Sequence, residues 1–320
     1  MSEIRKRRLP LVARLGVLSL AAGAMTLQPA VASAGGPRPA SGELRPGQGA
    51  PAGASSPWVR VWQDTFAGPA GRGVNQKVWR YDTGKGIFGT GEIETMTRSA
   101  RNVHLDGHGD LSITAIGHGQ SWTSGRIQTR SSRFAAPSGG MLMVTALIRQ
   151  PNPRHGLGYW PAFWMLGPGQ WPATGEIDIL EDVNALSQHS GTFHCGNLTH
   201  RNPDGTFGPC HEFTGLGSGL LACAGCQAGY HSYSIIVDRT RPADEQIRWY
   251  LDGRLFHSVS ESQVGKSAWA KAVDHGFSVI FDLAIGGGYP NGVCGCITPD
   301  SRTSSGGTMS IQSVAVYRRA

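Results

Sequence analysis

The run EIDILE places three carboxylates close together: Glu176, Asp178 and Glu181. Alternate side chains of a β-strand point to opposite faces, so Glu176 and Asp178 share a face while Glu181 falls out of step by one residue. A β-bulge inserts one extra residue and would return Glu181 to the face of the other two. We therefore predict a bulged strand that directs the intervening Ile and Leu side chains into the core and the three acids into a cleft.

Paired carboxyl groups in a cleft are suited to glycoside hydrolysis. With the bulge, the two glutamates stand about four pleats apart, roughly 13 Å between Cα atoms at about 3.3 Å per residue. Side chains that lean toward each other would close roughly 8 Å of this and leave about 5 Å between the carboxyl groups. That separation favours a retaining enzyme over an inverting one, which needs roughly 6.5–9.5 Å.

Electrostatics suggests a role for each acid. Three like charges on one face repel, so at least one carboxyl should keep its proton near neutral pH. We expect Glu176 to be the ionised nucleophile, and Glu181 to be the acid that protonates the leaving oxygen and then the base that activates water. Asp178 would hydrogen-bond Glu176, and the three groups would titrate as a coupled set.

Two other interpretations of the acidic run fit its composition less well. A solvated acidic strand would align like charges, which is destabilising. A calcium loop would carry Gly and Asn ligands among the acids rather than Ile and Leu. We therefore expect no metal ion at these acids. Whether a structural calcium ion stabilises the fold elsewhere is left open by the sequence.

The elements that position the acids are predicted to be short strands. From Trp58 onward, turn-forming residues recur at short intervals, and the segments between them are rich in β-branched and aromatic residues. The LDG sequence at 251–253 indicates a hairpin, and the one plausible helix spans 262–273. This pattern favours an all-β sandwich of two sheets. The predicted strand segments are 102–116, 125–134, 141–150, 231–240, 246–259, 277–285 and 309–319.

The N-terminal part of the chain has the composition of a targeting segment. Residues 1–34 combine a basic start, a short apolar stretch and an A-x-A site, which is typical of a secretory signal peptide, and residues 35–57 form a Gly/Pro/Ala-rich linker. Residues 58–320 are then the catalytic domain. Cleavage after Ala34 lowers the formal charge from +7 to +3, and no later basic cluster appears, so nucleic acid is not an expected partner. After cleavage no membrane segment is expected either.

All six cysteines lie in the second half of the chain. In an exported protein they are expected to form disulfides rather than a metal site, and six cysteines allow 15 pairings among which the sequence does not choose. Three tryptophans, Trp160, Trp164 and Trp171, flank the acids closely. Each could pack in the core, but an indole ring also packs well against the apolar face of a pyranose ring.

These motifs together resemble a family. The EIDILE run and the upstream GYWPAFWMLG resemble the E-x-D-x-x-E signature and the tryptophan-rich stretch of laminarinase-type members of glycoside hydrolase family 16. The likeness extends through WQDTFAG, TSGRIQT, GTFHCG, WYLDG and MSIQSVAVY, over nearly all of 58–320. It implies a β-jelly-roll of two curved antiparallel sheets (the concanavalin A-like architecture), retaining endo-hydrolysis and no cofactor in the chemistry.

The resemblance also implies positions for substrate-binding residues. Trp160 and Trp164 match residues of the cleft, and Arg126 and Glu92 match partners of sugar hydroxyls on the glycone side. His194 matches a histidine near the site. Each has an alternative: Arg126 could be a surface ion-pair partner, and His194 an ordinary strand histidine.

The chain also departs from the family pattern. Gly91 and Asp282 stand where asparagine is common, and the cysteine-bearing segment 195–226 differs from common bacterial laminarinases. We expect a secreted, monomeric endo-β-1,3-glucanase acting on a laminarin-like polysaccharide. The alternatives are the same chemistry on β-1,3-galactan, mixed-linkage β-glucan or an algal galactan, or a non-catalytic glucan-binding protein on the same fold.

Overall fold

A computed structural model describes residues 57–86 and 88–320. The signal peptide 1–34 and all but the last residue of the linker 35–57 lie outside the described residues. In chain order the strands are β1 (Val59–Asp64), β2 (Trp79–Tyr81), β3 (Gly84–Lys85), β4 (Thr95–Met96), β5 (Val103–Leu105), β6 (Leu111–Thr114), β7 (Ile116–His118), β8 (Ser121–Ser124), β9 (Arg126–Thr129), β10 (Met141–Arg149), β11 (Tyr159–Leu166), β12 (Glu176–Glu181), β13 (Gln188–His194), β14 (Leu216–Gly217), β15 (Leu221–Ala222), β16 (His231–Asp238), β17 (Gln246–Leu251), β18 (Arg254–Ser260), β19 (Ser278–Ile285) and β20 (Thr308–Arg319). The helices are α1 (Glu261–Val264), α2 (Lys266–Val273) and α3 (Gly288–Cys294).

Two large sheets make up the fold. The first has the order β18-β17-β16-β10-β20-β6-β5, with β1 also paired to β20. The second has the order β14-β13-β12-β11-β19-β9-β2, with β15 also paired to β13. Both are antiparallel throughout, and a small third sheet (β3-β4-β8-β7) contains the parallel pair β4–β8. The predicted all-β jelly roll of two antiparallel sheets is confirmed.

One large cluster of buried side chains joins the two sheets. Phe163 and Phe281, paired on β11 and β19 of the second sheet, stack with their ring centroids 4.7 Å apart. Val144 and Val316, paired on β10 and β20, enter the same cluster from the first sheet. Each fully buried side chain of this kind stabilises the fold by about 1.5–3 kcal/mol. This core fixes the shape of the second sheet. The face of that sheet that points away from the core can therefore carry a site.

The predicted elements are present with small differences. Every predicted strand segment contains at least one strand, and the LDG hairpin joins β17 to β18. Asp252 and Gly253 both have positive φ, 49° and 75°, as a two-residue type I′ turn requires. The predicted helix is present but is divided at Gly265, where φ is 88°. Helix α3 was not predicted, because its sequence GYPNGVC contains turn-forming residues and no helical periodicity.

The cysteines are all in disulfides, as predicted. The pairs are Cys195–Cys210, Cys223–Cys226 and Cys294–Cys296. Within the described part of the chain, no helix is long and apolar enough to cross a membrane.

Candidate active site

Strand β12 contains the predicted β-bulge. Trp164 of β11 pairs with Asp178, whereas the preceding residue of β11 pairs with Leu180, so Ile179 is the extra residue. The register toward β13 shifts in the same interval. A bulge leaves backbone groups without ladder partners. Here Trp249, from β17 of the first sheet, donates its indole N–H to the carbonyl oxygen of Asp178 at 2.7 Å.

The bulge brings the acid trio, Glu176, Asp178 and Glu181, onto one face. The trio pairs with every second residue of β11, which are Leu166, Trp164 and Ala162 respectively. The two glutamates are thus four residues apart when counted along β11, which is roughly 13 Å at about 3.3 Å per residue. The three apolar side chains between the acids are buried in the core. Both parts of the prediction, the shared face and the buried Ile and Leu residues, are confirmed.

The trio opens into a cleft of about 560 Å³. Arg126, Glu92, Trp160 and Trp164 line it together with the three acids. They arrive from different elements: Arg126 from β9, the two tryptophans from β11, and Glu92 from the segment before β4, where it forms an isolated bridge with Gly286. The structure therefore brings these predicted site residues together in one cleft. The volume of that cleft lies in the ordinary range for a ligand pocket.

The two tryptophans each hold a carboxyl group. Trp160 donates its indole N–H to Oε1 of Glu181 at 2.8 Å, and Trp164 donates to Oδ1 of Asp282 at 2.7 Å. Both rings are partly exposed to the cleft rather than buried in the core. An indole can therefore present its face to a sugar while its N–H is already satisfied by a carboxyl group.

Arg126 is buried at the floor of the cleft and is not a surface residue. Its Nε lies 3.2 Å from Oδ2 of Asp82, and its guanidinium stacks 3.8 Å from the ring centroid of Phe88 and 4.6 Å from that of Trp164. Glu92 accepts a hydrogen bond from the Thr90 hydroxyl, while its other carboxyl oxygen is buried with no partner among the described residues. Such an oxygen is suited to accept a hydrogen bond from a ligand hydroxyl.

His194 lies beside the trio. Its Nε2 is 3.4 Å from Oδ2 of Asp178 and 3.9 Å from Oε1 of Glu176. Its Nδ1 is 2.6 Å from Oε2 of Glu212. Burial alone would lower the pKa of His194, but the contacts with Asp178 and Glu212 outweigh it and raise that pKa well above the usual value. These two contacts therefore favour the protonated, positively charged form of His194.

Both glutamates of the trio have raised pKa values. Burial, followed by the charge of Asp178, raises the pKa of Glu176 to about 8, against the opposing charge of His194. Burial and Asp178 also raise the pKa of Glu181 well above its usual value, although the hydrogen bond from Trp160 acts in the opposite direction. At neutral pH the site therefore retains protons on its carboxyl groups, as acid–base chemistry requires.

Known proteins resemble this chain in sequence and in fold. Residues 111–208 match the sequence model described as the XgeA-like catalytic GH16 domain. The structure of an endo-1,3-β-glucanase from Streptomyces sioyaensis superimposes with a TM-score of 0.76 and 41% identity, covering 85% of this chain and 99% of that one. A β-glucanase from Rhodothermus marinus is 30% identical over 249 residues, which are 72% of this chain and 77% of the relative. The chain belongs to glycoside hydrolase family 16.

This family 16 glycoside hydrolase also resembles a larger protein. It is 28% identical over 285 residues to glucan endo-1,3-beta-glucosidase A1 from Niallia circulans. The match covers 81% of this chain but 37% of the relative, so the chain spans little more than a third of that protein's length.

Several cleft residues of the family 16 domain were not predicted as site residues. Asp282 faces the cleft from β19, and its presence in the otherwise apolar run SVIFDLAI was a signal that could have identified it. Trp171 and Phe213 also line the cleft, with their rings stacked 6.0 Å apart at 12°. Phe213 and Glu212 lie in an irregular segment with no periodicity, so nothing local in the sequence indicates where they point.

Among the residues that the structure describes, two groups of side chains have the spacing of a metal site. Ligand atoms of Cys223, Cys226 and His231 lie within 4.8 Å of one another, but the two cysteines are joined in a disulfide and have no thiolate to offer. The ligand atoms of Glu176, Asp178 and His194 also lie within 4.8 Å of one another. In this second group the positive His194 already lies against the carboxylates, which is the contact a cation would otherwise make.

Proposed function

We propose that this glycoside hydrolase is a secreted endo-β-1,3-glucanase that cleaves laminarin-like glucan with retention of configuration. The observation that carries the proposal is the bulge in β12, which places Glu176 and Glu181 on one face of a cleft with Asp178 between them. The relatives named above as endo-1,3-β-glucanases support the polymer and the internal point of attack.

The first half of the reaction forms a covalent intermediate. The Glu176 carboxylate attacks the anomeric carbon while the bond from that carbon to the leaving oxygen breaks, and Glu181 donates its proton to that oxygen. We assign the negative charge to Glu176 because the positive charges of His194 and Arg126 both lower its pKa; since that pKa is still about 8, the attacking species is the ionised fraction of Glu176, which grows as the pH rises. Glu181 keeps the proton, since burial and then the charge of Asp178 raise its pKa well above the usual value.

The second half releases the sugar. Glu181, now ionised, takes a proton from a water molecule, whose oxygen attacks the anomeric carbon and displaces Glu176. Asp178 stands between the two glutamates, and its charge raises the pKa of both. This charge favours the protonated form of Glu181 before the first half, and favours its recovery of a proton from water in the second half.

Sugar binding is assigned to the residues around the trio. The partly exposed rings of Trp160 and Trp164 offer faces to pyranose rings, and Arg126 and the unpaired oxygen of Glu92 offer a donor and an acceptor to hydroxyls. Arg126 and Glu92 both lie on the side of β12 that leads through β11 and β19 to β9. We therefore place the glycone part of the substrate on that side of the cleft.

The test is reducing-end release from laminarin, lichenan, β-1,3-galactan and agarose, measured in parallel. Wild type should act on laminarin fastest, Glu176→Gln should be inactive, and Asp204→Asn, at a half-exposed carboxylate that does not line the cleft, should match wild type. Proton NMR of the first product should show the β-anomer. Activity on a galactan alone would change the substrate, an α-anomer would contradict retention, and binding without cleavage would leave a glucan-binding protein.

Secretion, state of assembly and metal dependence have separate tests. N-terminal sequencing of exported protein should begin after Ala34, and light scattering should give the mass of one mature chain. Activity should withstand EDTA, because the proposed steps use side chains alone. A fall in melting temperature with EDTA, recovered by calcium, would reveal a structural calcium ion.

A further inference from the structure

The insert, residues 195–226, delivers a buried acid to the back of the active site. Glu212 is only 1% exposed. Its Oε2 lies 2.6 Å from Nδ1 of His194, and its Oε1 accepts a hydrogen bond from the backbone N–H of Cys195 at 2.9 Å. The disulfide Cys195–Cys210 joins the residue after His194 to a residue two positions before Glu212. His194 and Glu212 therefore flank the two ends of the loop that this disulfide closes.

The two ring nitrogens of His194 face carboxyl groups on opposite sides. Nδ1 meets Glu212, while Nε2 faces Asp178 at 3.4 Å and Glu176 at 3.9 Å. A neutral imidazole carries a single N–H, whereas the imidazolium carries two. Only the imidazolium can donate toward carboxylates on both sides, and the ring of Trp171, 5.7 Å away, covers it.

Removing Glu212 would change the charge that the trio experiences. A buried carboxylate requires a charged or hydrogen-bonded partner, and His194 with the Cys195 amide supplies it. The other charged groups around His194 are Asp178 and Glu176, with Glu181 farther along the same strand. Without Glu212, Nδ1 would lose its carboxylate partner, only Asp178 and Glu176 would still raise the pKa of His194, and burial would oppose the charged ring with less to counter it.

We propose that Glu212 is a positioning residue, which holds His194 as an imidazolium with its Nε2–H directed at Asp178 and Glu176, so that the insert completes the active site. The inference rests on the proposed function, because it assigns these acids to catalysis. It goes beyond it by making the disulfide-closed insert, and not the sheet alone, responsible for the charge at the nucleophile.

The decisive variant is Glu212→Gln, which keeps the shape of the side chain but has a single oxygen. It therefore cannot offer one oxygen to Nδ1 of His194 and another to the backbone N–H of Cys195. Its kcat on laminarin should fall about 10- to 100-fold, the effect of losing a hydrogen bond to a charged group. KM should change little, because Glu212 does not line the cleft. Since His194 lowers the pKa of Glu176, the acid limb of kcat/KM should move to higher pH.

The insert itself contains a matched control. Asp204 pairs with His211 at 3.2 Å, but both side chains are about half exposed, so Asp204→Asn removes a histidine–carboxylate pair at the surface. This variant should match wild type in kcat and in pH profile. Equal losses in both variants would show that the insert acts through its general structure, and would overturn the positioning role.

Two further measurements test the inference, and the first does not depend on how Glu212→Gln folds. Nitrogen NMR of wild type should show His194 doubly protonated at pH 7, and a neutral ring would overturn the inference whether or not the enzyme cleaves laminarin. In a His194→Gln background, Glu212→Gln should cause no additional loss, since it acts through His194. Additive losses would contradict the inference, whereas an inactive wild type with a charged His194 would contradict only the proposed function.

Discussion

Asp282→Asn should make this protein more stable at neutral pH. Asp282 is 7% exposed, and burial raises its pKa to about 6, from 3.8 when unperturbed, even though Arg126 and the hydrogen bond from Trp164 act in the opposite direction. Asparagine keeps an oxygen for the Trp164 indole and removes the buried negative charge. The packing is otherwise unchanged, so the charge alone is tested.

The magnitude follows from linkage. A carboxyl whose pKa is higher in the folded state opposes folding above the folded pKa, and this cost disappears below the unfolded pKa. The pKa of Asp282 is 3.8 when unperturbed and about 6 in the folded state. At about 1.36 kcal/mol per pKa unit, this rise lowers the free energy of unfolding by about 3 kcal/mol at pH 7. At pH 4 it falls below about 1 kcal/mol, because Asp282 is then protonated in the folded state and half protonated in the unfolded chain.

Guanidinium unfolding of both proteins at pH 7 and pH 4, with the disulfides intact, measures this difference. The variant should be more stable by about 3 kcal/mol at pH 7, and the gap should nearly close at pH 4. As a control, Asp204→Asn should gain no stability at pH 7, because the pKa of that exposed carboxyl is lowered in the fold. A gap of equal size at both pH values, or a less stable variant at pH 7, would refute the reasoning.

Three other changes test the cleft. Trp160→Phe removes the hydrogen bond that lowers the pKa of Glu181, so the alkaline limb of the kcat/KM profile should move to higher pH, and an unmoved limb would contradict the assigned acid. Asp178→Asn removes the charge that raises the pKa of Glu176, so the acid limb should move to lower pH while kcat falls. Phe213→Ala removes a ring that is 65% exposed beside the cleft, and should raise KM severalfold on laminarin but not on short oligosaccharides; equal effects on both would exclude a binding role.

Interpretation of the local sequence succeeded where strand geometry leaves little choice. The period of two along a strand, applied to EIDILE, was sufficient to predict both a bulge within the run and the shared face of the acids, and the structure places that bulge at Ile179. Turn chemistry predicted the LDG hairpin, and the helix at 262–273 was also predicted, although its break at Gly265 was not foreseen.

Residues brought together by the fold could not be identified in this way. Asp282 meets the trio because β19 pairs with β11, and Glu212 meets His194 because a disulfide-closed loop returns to the end of β13. These contacts join residues far apart in the chain, and no local pattern encodes which strands will be neighbours.

The sequence by itself thus determined the chemical groups of the site and their phase along one strand, since both depend on the covalent chain and its pleat. Protonation was decided by the tertiary structure. The sequence predicted a retained proton from repulsion among the acids, whereas burial is the larger cause for both Glu176 and Glu181. Burial depends on every strand that surrounds a carboxyl group, and so does the balance of charges that sets which acid is ionised.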